Sequence, residues 1–209
     1  MHKEQIEKWA FAEFTDKEVC KLSNDFASFI ENIKSGNEQE LARLFNNVLT
    51  EIEPRQRYVL CQRLNSNGFG HICRDKDDEV YGVVFQVGLE SGKETLSVYP
   101  NREGWYINYT GKAIKLNPLS EEQDEMKINL VIDSLFDLVV KVAPHFDALN
   151  YEHISVIDTG KLRINFLTGK GLRFTEGAMK EIGEGSPAKM IFGLGSIILR
   201  KLVDMSMKK

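Results

Sequence analysis

Cysteine and proline are scarce in this chain of 209 residues, at 3 and 5, and it has neither a long uninterrupted apolar run nor a marked excess of one charge. Each scarcity removes a class of protein. Cys20, Cys61 and Cys73 are too few and too scattered for a disulfide framework, and their odd number leaves at least one thiol free, so a reducing, cytoplasmic setting is expected. With 42% hydrophobic residues, 28% charged residues and no biased repeat, the chain lacks the composition of a disordered segment and carries enough apolar material for a core. The longest apolar stretch, Met190 to Leu199, contains Gly193, Gly195 and Ser196 and spans only about half the ~20 residues of a membrane-crossing helix. The N-terminus begins Met-His-Lys-Glu without an apolar stretch and cleavage site, so no secretory signal is expected. With 27 basic residues against 31 acidic ones the net charge is −4, which gives nucleic acid no global electrostatic attraction, and nucleic acid is not expected as a partner.

What is present reads as alternating blocks of helical and strand periodicity. Thr15 and Glu18 form a capping box, after which Val19, Leu22, Phe26, Phe29, Ile30 and Ile33 fall on one helical stripe that Ser35-Gly36 ends. Asn37 and Glu40 begin a second helix with Leu41, Leu44, Phe45, Val48, Leu49 and Ile52 on its buried side, and Glu53-Pro54 is expected to end it. Ile6, Trp9 and Ala10 suggest a further short helix upstream. From Arg57 the reading changes to about six strands: 58–64, 70–74, 80–87, 95–99, 105–109 and 113–116. The stretch 80–87 is apolar on both faces, as a central strand covered from both sides would be. Ser120 and Gln123 cap an amphipathic helix over 121–143, which Pro144 stops. A late hairpin is expected from 154–157 and 162–167 around Asp158-Thr159-Gly160-Lys161, followed by a short helix capped by Thr175 and a last one opened by Ser186-Pro187.

The expected architecture is therefore a single α+β domain over 1–209 with a mostly antiparallel sheet of about six strands plus the late hairpin. An N-terminal helical segment spans 1–53, the sheet with its inserted helix 57–174, and a C-terminal helical segment 175–209. The element order loosely resembles the helix, three strands, helix, two strands, helix plan of type III secretion chaperone-like proteins. The resemblance is one of order alone, with no residue motif behind it, so it implies a fold and no activity.

The chemistry-bearing motifs are weak. Gly88-Leu89-Glu90-Ser91-Gly92-Lys93-Glu94-Thr95 has the Gly-Lys of a phosphate loop but one residue too few between its glycines and Glu94 in place of the magnesium-binding hydroxyl, and it reads as a hairpin. Cys61, His71 and Cys73 could face one another across adjacent strands, yet a structural zinc site would lack its fourth ligand. Asp133 and Asp137 share a helical face opposite the apolar stripe, with Lys141 four residues further on, which is the pattern of a solvated, ion-paired surface. No catalytic residue, metal or cofactor is expected. Lys170 and Arg173, in a glycine-rich stretch, are the candidate contacts for a small anion. Tyr81, Trp105 and Tyr109 are the candidate wall of a pocket or recognition surface on an aromatic-rich sheet.

The final helix, 187–205, has a narrow polar stripe of Lys189, Gly193, Ser196, Arg200 and Asp204, and an apolar arc wider than a simple outer helix needs. It is expected to be central to the core, to complete a partner interface through Ile191, Leu194, Ile198 and Leu202, or to lie on a membrane surface. The leading expectation is a non-catalytic protein-binding module of adaptor, chaperone or immunity type, with a protein partner or a second copy. The alternatives are a pocket protein or enzyme acting on a small anionic ligand, and a peripheral membrane protein held by this helix.

Overall fold

The computed structural model describes residues 24–48, 52–76, 78–116, 123–146, 157–181 and 185–207. Its elements are α1 (Asn24–Ser35), α2 (Glu38–Val48), α3 (Pro54–Ser66), a 3-10 segment (Gly70–Lys76), β1 (Val80–Leu89), β2 (Gly92–Val98), β3 (Gly104–Ile107), β4 (Ala113–Leu116), α4 (Gln123–Val142), a 3-10 turn (Ala143–His145), β5 (Lys161–Thr168), β6 (Gly171–Ala178) and α5 (Pro187–Met207). The order differs from the chaperone-like plan by a fourth strand before α4 and by additional helices at the front.

The junction between the first two of these helices lies where its residues dictate. Gly36, at φ 70°, ends α1 in a left-handed turn in which its N–H and that of Asn37 donate to the carbonyls of Ile33 and Asn32. Asn37 then caps α2, its Oδ1 accepting the Glu40 N–H at 3.3 Å. The Glu40 carboxylate does not complete a capping box and instead binds Arg43, Nε to Oε2 at 2.7 Å. The Thr15 and Ser120 caps, Cys20 and the helix expected around Trp9 lie outside the described residues.

Two segments read as strands are helical. Glu53-Pro54, expected to end α2, opens α3: Pro54 stands in the first turn, where its missing N–H costs nothing, and Gln56 Oε1 accepts the Glu53 N–H at 3.1 Å. Tyr58, Val59, Leu60 and Cys61 are apolar in succession and all buried, so neither period is visible in that run. The stretch 70–74, read as the next strand, belongs to the 3-10 segment. The late hairpin is also displaced. β5 turns through Gly169-Lys170 into β6, which contains Thr175 as a strand residue paired with Ile164 rather than as a helix cap. Of the expected 154–157 strand only Ile157 is described, and it lies in irregular chain.

The sheet is antiparallel throughout, in the order β4-β3-β2-β1-β5-β6. β1 is interior and buried on both faces, as its unbroken apolar run requires. One face, with Tyr81, Val84, Tyr99, Ile107, Leu167 and Leu172, packs against Phe26, Phe29, Leu41 and Phe45 of α1 and α2 and Tyr58, Cys61 and Leu64 of α3. The opposite face, with Val83, Phe85, Leu96, Val98, Ile164 and Phe166, packs against Ile128, Ile132, Leu135 and Val139 of α4 and Ile191, Ile198 and Leu202 of α5. This is an α+β architecture with a helical layer on each side of the sheet. α5 lies hard against β1, because a β-carbon on Gly195 would stand 2.7 Å from the tip of the Phe85 ring.

Candidate functional site

The structure separates Lys170 from Arg173. Lys170 is exposed in the β5–β6 turn. Arg173, whose side chain is only 12% exposed, donates from Nη1 to the carbonyls of Pro144 at 2.8 Å and Phe146 at 3.0 Å, with Asp78 Oδ1 3.4 Å from Nη2. Its guanidinium is committed to the carbonyls that follow α4, so the expected pair of anion contacts is not formed.

Nor do the three aromatic residues line one wall. Tyr81 is buried near the start of β1 under α3, its hydroxyl 3.7 Å from Cys61 Sγ. Burial, with Cys61 beside it, pushes its phenol well above the usual range. Trp105 is half-buried on β3 with the Lys115 ammonium 5.5 Å from its ring centroid. Tyr109 is exposed in the β3–β4 turn, against Gly92 at the opposite end of β1 from Tyr81. The cysteines and histidine diverge as well: Cys61 and Cys73 are buried, whereas His71 points outward and meets Glu38 Oε1 at 2.7 Å. Among the described residues no group of three or more His, Cys, Asp or Glu is placed to hold a metal ion. Asp133 forms a two-point ion pair with Arg102, at 3.2 and 2.9 Å, and Asp137 is exposed. Residues 88–95 are the β1–β2 hairpin, Leu89 pairing with Gly92.

A feature the sequence reading missed lies on the sheet face shared with α1–α3. The registers of β2, β1 and β5 set Ser97, Val84 and Asn165 in one row and Thr95, Gln86 and Arg163 in the next. The five polar residues of this grid are at most 4% exposed. Asn165 Nδ2 donates to Val84 O at 3.1 Å and Gln86 Oε1 at 3.3 Å, and Arg163 Nε donates to Glu176 Oε2 at 2.7 Å. Thr95 Oγ1, Ser97 Oγ and Asn165 Oδ1 have no hydrogen-bond partner in the structure. Tyr99 follows on the same face; burial pushes its phenol up to about 12, while the charge of Arg55 acts in the opposite direction. No histidine stands in the grid beside the Thr95 and Ser97 hydroxyls, and Glu176 matches the charge of Arg163. Thr95 with Ser97, and Arg163 with Asn165, are the polar half of a period-two pattern, which in sequence marks a solvent face; here helices cover both faces.

Between β5, β6 and the start of α5 lies a cavity of about 270 Å³, lined by Leu162, Ile164, Thr175, Glu176, Glu181 and Ser186 among others. Carboxylates border it and no lysine or arginine is among its described lining residues, which runs against a small anion as its occupant.

The remaining feature is the outer surface of α4 and α5. Ile191, Ile198 and Leu202, expected at an interface, are at most 1% exposed and are used in the chain's own core, with Leu194 packed against it. The apolar residues these helices present outward are instead Leu130 and Val140 on α4, at 67% and 52% exposure, and Met190, Ile197 and Met207 on α5, at 47%, 45% and 72%. Tyr109 completes the set of large exposed hydrophobic residues in the described chain. No family model matches the chain, and no curated protein or solved structure matches it significantly.

Proposed function

We propose that the chain is a non-catalytic protein-binding module, of adaptor, chaperone or immunity kind, that meets its partner through the outer face of α4 and α5. The observation that carries this reading is the distribution of exposed apolar side chains. Among the described residues, five of the six large ones, Leu130, Val140, Met190, Ile197 and Met207, stand on these two helices, whose opposite sides are already packed on the sheet. Single exposed hydrophobic residues are ordinary, but their concentration on one layer marks a docking surface. A cytoplasmic setting belongs to this reading, and the buried, unbridged Cys61 and Cys73 agree with it. No helix among the described residues is long and apolar enough to cross a membrane. Attachment to a membrane surface by α5 is disfavoured because its widest apolar arc faces the sheet, whereas an interfacial helix turns that arc outward.

The test is affinity capture with the full chain and with Leu130→Lys and Ile197→Lys, followed by binding measurements on the purified partner. Both positions are exposed, so the fold should survive either change. A partner that docks here loses about 2 kcal/mol, roughly 30-fold in affinity, at a central apolar contact. Partners that bind both variants as tightly as the unmodified chain would place the binding surface elsewhere.

A further inference from the structure

Resting on that docking surface, the geometry points to a specific occupant for its α5 half: a second copy of the chain, packed antiparallel along α5. Ile197, Arg200, Asp204 and Met207 recur at steps of three, four and three and are all exposed, forming one stripe on the side of α5 opposite buried Ile191, Ile198 and Leu202. No ion pair within the described chain engages Arg200 or Asp204. Under a two-fold axis that reverses the helix direction, Ile197 meets the second copy's Met207 and Arg200 meets the second copy's Asp204. The same contacts recur on the other side of the axis, so the stripe is complementary to itself, as an isologous interface requires. A parallel pairing sets Arg200 against Arg200 and Asp204 against Asp204, and like charges oppose it. An anionic lipid surface would likewise meet Asp204 on the stripe, leaving Arg200 as its only cation.

The magnitude of this contact is limited. At 1.5 Å per residue the stripe is about 16 Å long, well short of the surface that supplies the ~800 Å² per partner of a standard stable interface. The expected association is therefore in the micromolar range, with the charge pairs selecting register and direction more than adding affinity. Leu130 and Val140 enlarge the contact to the extent that the axis brings α4 to it.

Sedimentation equilibrium of the full chain across a micromolar concentration series tests this directly. The unmodified chain should show a concentration-dependent dimer. Arg200→Asp and Asp204→Arg should each weaken it by about tenfold or more, since each sets like charges face to face. The double variant R200D/D204R should return the dissociation constant to within about threefold of the original, because the attraction is restored with its partners exchanged. Circular dichroism on each variant confirms the fold at these exposed positions. A chain that stays monomeric throughout, single variants that dimerise unchanged, or a double variant as weak as the singles would each overturn the proposal. The docking surface is judged separately: a monomer whose captured partner is lost on Ile197→Lys removes the second copy as occupant and leaves the surface standing.

Discussion

Gly195 and Gly193 lie two residues apart on α5 and have opposite surroundings. A β-carbon on Gly195 would meet the buried Phe85 ring at 2.7 to 3.0 Å, whereas one on Gly193 meets nothing within 4 Å. Gly195→Val should therefore cost about 2 kcal/mol or more by overpacking. Gly193→Ala should stabilise by about 0.5–1 kcal/mol, because alanine holds a helix better than glycine in open surroundings. Urea denaturation midpoints read both, and equal shifts of one sign would mean that α5 does not lie on β1 as described. The sequence marks both glycines as unusual in a helix; only the fold distinguishes the one required by packing from the one that is merely tolerated. Burial sorts the cysteines in a comparable way. Cys73 beside it and desolvation push the Cys61 thiol far above its usual range, which favours the neutral thiol over the reactive thiolate.

At the scale of elements, legibility followed periodicity and capping. α1, α2, α4 and α5 announced themselves as apolar stripes, and Ser186 caps α5 as expected, accepting the Lys189 N–H at 3.2 Å. α3 was hidden because four successive apolar residues carry no period and because Pro54 signals a helix start as well as a stop. The last hairpin was hidden because Asp158 to Lys161 and Gly169-Lys170 are both good turn sequences, and only strand pairing chooses between them. For α5 a wide apolar arc reveals that the helix needs cover but not which edge of the arc meets the sheet; core, interface and membrane readings stay open in sequence, and only the fold places Ile191, Ile198 and Leu202 inside and Ile197 outside. Arg173 is the joint between elements that sequence could not show, tying β6 to the end of α4. Arg173→Ala should destabilise by about 2–3 kcal/mol, since it leaves the carbonyls of Pro144 and Phe146 without their charged donor. Arg173→Lys should recover little of this, because an ammonium does not reproduce the planar fork that reaches both carbonyls. Full recovery in the lysine variant would show that charge alone suffices at this joint.

For the whole molecule, exposed ion pairs give the fold a shallow acid dependence. Lys161 beside Asp158, and Arg43 beside Glu40, hold those carboxyls below their usual range. Each pair thus contributes stability that is complete above the unfolded carboxylate range near ~4 and is lost as pH falls through the lower folded value. The double variant E40Q/D158N should show a flatter loss of urea midpoint between about pH 5 and 2 than the unmodified chain. An unchanged slope would assign the acid limb to other groups.

The buried polar grid on β2, β1 and β5 has a consequence for how the molecule assembles correctly. Side chains alternate across a strand, so sliding β5 by one residue against β1 would turn Arg163 and Asn165 into the apolar layer of Phe85, Ile132 and Ile198 and bring Ile164 and Phe166 among Gln86 and Thr95. A sheet apolar on both faces would tolerate that slip almost without penalty. The grid makes it expensive, and so acts as a key that lets only one alignment of the central strands close between the two helical layers.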